Sequence, residues 1–188
     1  MKRIGILGDI GSGKSYVAKS FGYPVFNADK EVSKLYKTDK KIFYKLKKVL
    51  PKYFYKFPIE KYDVLTAILD KNKNLEKIIK IIHFEIRKKM NSFLKKNRKK
   101  KVVILDIPLL LENKINKKND ILVFVQSRKS EILKKLKKRK NFNQKLFNKF
   151  RNIQLPLDYK KKKSQFIVKN DFTKRTVIKY VKYILKQI

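Results

Sequence analysis

The chain has 188 residues, 43% of them hydrophobic, no cysteine, and a formal net charge of +37 from 52 Lys+Arg against 15 Asp+Glu. This length and apolar content describe one domain with a proper core rather than a disordered chain, and the lack of cysteine excludes disulfides and thiolate metal sites. The lysines are spread along the whole chain with abundant Asn, Ile, Phe and Tyr, as AT-rich codons produce, so the charge is not the clustered patch of a dedicated nucleic-acid binder, and nucleic acid is not expected as a partner.

In chain order, KRIGIL (Lys2 to Leu7) is an apolar run that reads as a buried first strand. It leads into GDIGSGKS, Gly8 to Ser15, which fits G-x-x-x-x-G-K-[ST] with Gly8, Gly13, Lys14 and Ser15 in the fixed places. That pattern makes backbone N–H groups converge on a phosphate, with a lysine beside them and a hydroxyl available to Mg²⁺. A helix is expected from Lys14 to Phe21, its N-terminus facing the phosphate, stopped by Gly22 and Pro24. PVFNAD reads as a short second strand ending at Asp29. All five glycines fall in this opening, where backbone must approach a ligand.

Residues 30–97 read as helical, with a break between Pro51 and Pro58. Leu75, Ile78, Ile79, Ile82, Ile86, Met90, Phe93 and Leu94 recur at helical spacing and predict one long amphipathic helix. KVVILDIP (Lys101 to Pro108) and DILVFV (Asp120 to Val125) read as strands. The apolar stretch VVILDIPLLL is interrupted by Asp106 and Pro108, so no membrane span is expected. A Lys-rich helix follows over 129–139, then a second helical piece to about Gln154. The lysine runs 95–101 and 160–163 are the best basic patches. QFIVKN (Gln165 to Asn170) is a last short strand, and Val177, Ile178, Val181, Ile184, Leu185 and Ile188 stripe a terminal helix. Strands alternating with helices predict an α/β fold: a parallel sheet covered on both faces, in three layers. With no secretory signal read at the start, a cytoplasmic, monomeric protein is expected.

Neither Asn-Lys-x-Asp nor an Asp-x-x-Gly switch is present, so a GTPase is not expected. The phosphate loop, a helical insert and a basic helical hairpin near the end suit a small-molecule kinase. Together with their order and spacing, five stretches resemble the dephospho-CoA kinase family. These are LGDIGSGKSYVAKSF, FNADKEV, LEKIIKIIHFEIR, DIPLLLEN (Asp106 to Asn113) and IQLPLDYKKKKSQFIVKN. The resemblance covers nearly the whole chain. It implies a P-loop kinase fold over 1–188, with a helical substrate-binding insert at about 30–97 and a helical lid at about 139–163. It also implies ATP-dependent phosphorylation of the 3′-hydroxyl of dephospho-CoA with Mg²⁺, the last step of coenzyme A synthesis.

The resemblance carries roles onto particular residues. Gly11, Ser12, Gly13, Lys14, Ser15 and Tyr16 would hold the nucleotide phosphates, with Ser15 on Mg²⁺ and Asp106 as a more distant partner of the ion. Asp29 would take or orient the proton of the ribose 3′-hydroxyl, or else cap the helix that follows. Lys61, in place of a family arginine, His83 and Arg87 fall on the substrate side, Arg87 suiting a diphosphate; for His83 a packing role is the competing reading. Arg139 resembles the lid arginine, with Arg151 as the alternative. Asn170 either touches adenine or caps a turn. Asp9, Tyr16, Asn27, Phe84 and Ser164-Gln165 depart from the family pattern. The rival readings are another small-molecule P-loop kinase, such as a nucleotide kinase, a nucleic-acid-binding ATPase, and a nucleotide binder without catalysis.

Overall fold

The computed structural model of the protein describes residues 1–138 and 142–188. Their elements run β1 (Lys2–Gly8), α1 (Lys14–Ser20), β2 (Val25–Asn27), α2 (Ala28–Thr38), α3 (Lys40–Val49), α4 (Lys61–Asp70), α5 (Asn72–Lys96), β3 (Val102–Asp106), β4 (Ile121–Gln126), α6 (Lys129–Lys137), α7 (Gln144–Asn152), α8 (Leu157–Lys162), β5 (Phe166–Lys169) and α9 (Lys174–Gln187). The five strands form one parallel sheet in the order β2-β3-β1-β4-β5. The expected α/β architecture is therefore present. α8, six residues inside the lysine-rich stretch, has no apolar period that would announce it.

The strands alternate, and both sets of side chains are buried, as a sheet with two covered faces requires. Ile4 and Ile6 of β1, Val102 and Ile104 of β3, and Val123 and Val125 of β4 pack with Val17 and Ala18 of α1 and Val177, Val181 and Ile184 of α9. Leu7, Leu105, Leu122 and Phe124 belong to the opposite cluster, which runs into the helices α2–α5. There the stripe Leu75, Ile78, Ile82, Ile86 and Met90 of α5 meets Leu35, Ile42, Leu46 and Ile68. No helix among the described residues is long and apolar enough to cross a membrane.

The base of the sheet is pinned by an ion pair. Arg3 Nη2 donates to Asp120 Oδ2 at 2.9 Å, and Lys117 N donates to the same oxygen at 2.9 Å. Both side chains are buried. Removing one partner strands the other's charge away from water. Asp120→Ala is expected to lower unfolding free energy by about 3–5 kcal/mol, read as an earlier midpoint in urea denaturation.

Candidate active site

The carboxyl ends of the strands open along one edge of the sheet, where open parallel sheets bind ligands. There β1 runs into the glycine loop. Gly13 has φ 90°, and a Cβ on it would lie 2.4 Å from Asn170 Nδ2. Backbone conformation and space therefore both demand glycine at that place. The loop is held from behind: the carbonyl of buried Ser12 accepts from Ser127 Oγ at 3.0 Å and from Asn170 Nδ2 at 2.8 Å. Asn170 Oδ1 accepts from Phe172 N at 2.9 Å. Both ends of this amide are thus engaged with protein. Of the two roles expected for Asn170, the turn cap is present, and its NH₂ donates to the loop. Ser127 carries no sequence signal, since a serine just after a strand belongs to no pattern.

Lys14 Nζ donates to the carbonyls of Gly8 at 3.1 Å and Asp9 at 2.7 Å. Burial lowers its pKa to about 8; the carboxylates of Asp106, Asp9 and Asp29 oppose that shift, and the Lys160 ammonium adds to it. Lys14 still presents some surface, so it is the enclosure of its ammonium by the loop that removes solvent. The Asp9 carboxylate folds onto its own neighbour, Oδ1 accepting from Ile10 N at 2.7 Å. The negative charge that departs from the family pattern thus consumes one amide of the loop. Ser15 and Tyr16 stand exposed in the first turn of α1, and Gly11 is partly exposed at the loop's tip.

Across the edge, β2 lies beside β3 with Asn27 level with Asp106. Asn27 Nδ2 donates to Asp106 Oδ2 at 2.5 Å, and Asn27 Oδ1 accepts from Lys30 N at 2.8 Å. The strand therefore ends at Asn27, not Asp29, and the helix cap is Asn27, a residue well suited to that place. Asp29 lies in the first turn of α2. Its carboxylate has no hydrogen bond or ion pair among the described residues and opens to solvent. Protein crowds its inner side. That desolvation, and then the charge of Asp106, raise its pKa, with Lys14 opposing. Lys14, Asp29 and Asp106 thus form one electrostatic group, brought together from β1, α2 and β3.

On α5, His83 and Arg87 are joined by a residue that sequence reasoning left without a role. Asn113 Nδ2 donates to His83 Nε2 at 2.8 Å, and Arg87 Nη2 donates to Asn113 O at 2.6 Å. The imidazole therefore accepts, which places its own proton on Nδ1. Burial and the Arg87 cation lower its pKa, keeping it neutral at pH 7. Arg87 is exposed and, among the described residues, keeps donors free. Phe84 is exposed, with Lys88 Nζ 4.2 Å and Lys45 Nζ 5.7 Å from its ring centre. Lys61 opens α4, exposed, and makes no hydrogen bond or ion pair with this group among the described residues. Arg139 lies outside the described residues. Arg151 is exposed near the end of α7.

The clamp on Ser12 predicts a nucleotide-binding phenotype. Ser127→Ala, which removes one donor, is expected to weaken Mg-ADP binding about threefold to tenfold, and Asn170→Ala by more, since each hydrogen bond is worth about 1 kcal/mol. Titration calorimetry reads both.

Comparison with known proteins places this geometry in a lineage. A family model described as dephospho-CoA kinase matches residues 2–175. The chain is 32% identical over 190 residues to a dephospho-CoA kinase of Wolbachia pipientis wMel, covering 98% of this chain and 97% of that one. It is 32% identical over 202 residues to one of Bartonella henselae, covering 99% and 100%. The fold is similar to that of TT1252 from Thermus thermophilus, with a TM-score of 0.79 at 21% identity over 100% of this chain and 97% of that one. It is also similar to that of dephospho-CoA kinase from Campylobacter jejuni, with a TM-score of 0.64 at 18% identity over 99% and 96%. On the family model and the full-length likeness to curated relatives, this chain belongs to the dephospho-CoA kinase family.

Proposed function

We propose that the protein transfers the γ-phosphoryl group of ATP to the 3′-hydroxyl of dephospho-CoA, giving coenzyme A and ADP. The observation that carries this reading is the electrostatic coupling of two groups in a chain of this family. Lys14 sits in a phosphate loop at the end of β1, and the carboxylate of Asp29, unpaired among the described residues, stands within its electrostatic reach.

Phosphoryl transfer asks a protein mainly for position and charge. The amides of Gly11 to Ser15 would hold the β-phosphate, and Lys14 would bridge β and γ. Asp29 would accept a hydrogen bond from the acceptor hydroxyl and take its proton as the new P–O bond forms and the bond to the β-phosphate breaks. Its raised pKa makes it a better base than an ordinary aspartate. Among the described residues no cluster of three acidic, histidine or cysteine side chains could hold a metal by itself. That donor set fits a Mg²⁺ carried largely by nucleotide phosphates and water, with the Ser15 hydroxyl as protein ligand and Asp106 acting through water. The free donors of Arg87 suit the diphosphate of dephospho-CoA, and Arg139 or Arg151 the ATP phosphates. In this reading α2–α5 form the acceptor-binding insert and residues 139–163 the lid.

Incubation with Mg-ATP and dephospho-CoA should yield coenzyme A by mass spectrometry, and Lys14→Met should abolish it with no loss of melting temperature. Phosphate appearing instead on a nucleoside monophosphate, or ATP turnover that depends on DNA or RNA, would reject the assignment.

The lowered pKa of Lys14 also sets a pH limit. The ammonium is present below about 8 and is lost as pH rises through that value. The kcat/KM for ATP, which reports the free enzyme, is therefore expected to decline on the alkaline side from about pH 8.

A further inference from the structure

The run Lys160 to Lys163 reads in sequence as a surface patch, yet Lys160 is 1% exposed, the one buried lysine among the described residues. Its Nζ lies 2.6 Å from Glu112 Oε1 and donates to Gln154 Oε1 at 2.9 Å. Glu112 Oε1 accepts in addition from Leu155 N at 3.1 Å. Three segments meet here: the loop after β3, the turn between α7 and α8, and α8 itself. Glu112 Oε2 is buried with no hydrogen-bond partner among the described residues.

A pair this deeply buried is poor value as a stabiliser. Taking both charges out of water costs about what their attraction returns, and packed apolar side chains of similar volume serve as well or better. What the pair does supply is a directional fixing point. Gln154 and Leu155 follow Arg151 closely in the chain, so the pair sets where the end of α7 sits. Glu112 is followed by Asn113, the residue that holds His83 and Arg87 of α5. Two consecutive residues of one loop therefore hold α5 on one hand and the α7–α8 turn with α8 on the other. The last turn of α7 is tied down at a second point: Lys149 Nζ donates to the carbonyls of Ile68 at 2.7 Å and Leu69 at 3.2 Å, at the end of α4. α8 packs against β1, the strand that runs into the phosphate loop, and the charge of Lys160 is felt by Lys14.

We infer that Glu112 and Lys160 are positioning residues for the phosphoryl transfer. Their pair seats the α7–α8 segment, and Arg151 with it, on the same loop that holds Arg87 through Asn113. The inference rests on the kinase reading above. A segment seated in register encloses the transferring group; one that is loose admits water, which takes the phosphoryl group in place of the acceptor hydroxyl.

The experiment compares wild type with the Glu112→Gln/Lys160→Met double variant. The glutamine keeps an acceptor for Leu155 N, and no buried charge is left unpaired. The melting temperature is expected to match wild type, while kcat falls roughly tenfold to a hundredfold. The ratio of ADP to coenzyme A, near one in wild type, should rise several-fold. That ratio does not depend on how much of the preparation is folded, so a partly misfolded variant still reports. A double variant with wild-type ratio and wild-type kcat per folded molecule overturns the inference. Should wild type form no coenzyme A, the kinase reading fails, and Mg-ADP affinity judges the pair separately. Several-fold weaker binding in the double variant then supports it, and equal binding overturns it.

Discussion

Two hydrogen bonds converge on one carbonyl oxygen, that of Ser12, and the site is organised around them. A phosphate loop works only if its amides point inward before the ligand arrives; otherwise binding must cover the cost of ordering them. Glycine gives this loop its curvature but no rigidity. Rigidity comes from neighbouring strand ends, through Ser127 after β4 and Asn170 after β5. The parallel sheet is what brings those ends to the loop, and the burial of both its faces is what holds them there.

Around that anchor the ionisable groups are few and mutually dependent. Enclosure lowers the pKa of Lys14 to about 8, and the carboxylates of Asp106, Asp9 and Asp29 oppose that shift. Asp106 is tied to Asn27, and Asn27 caps the helix carrying Asp29. One asparagine thus sets both the direction of that helix and the local negative potential. An amide suits this place: it can donate to Asp106 while its oxygen caps α2, whereas a second carboxylate would repel its partner.

The sheet was legible in the sequence because its strands are continuous apolar runs and its first loop carries a spaced pattern with a mechanism. The long helix α5 was legible from its stripe. The boundary between β2 and α2 was not, since Asn-Ala-Asp offers two capping side chains and only the pairing of Asn27 with Asp106 selects one. Lys160 was invisible for another reason: in four successive lysines no residue differs from its neighbours, and which one turns inward depends on the helix phase of α8. Asn113 and Ser127 act through bonds to residues 30 and 115 positions away, beyond the reach of any local pattern.

The bond between Asn170 and the Ser12 carbonyl spans 158 positions of chain. The glycine loop leaves the ribosome well before its support does. A nascent chain therefore carries a nucleotide motif that cannot be braced until β5 and the residues after it have also emerged, so the motif and its rigidity arrive at different times.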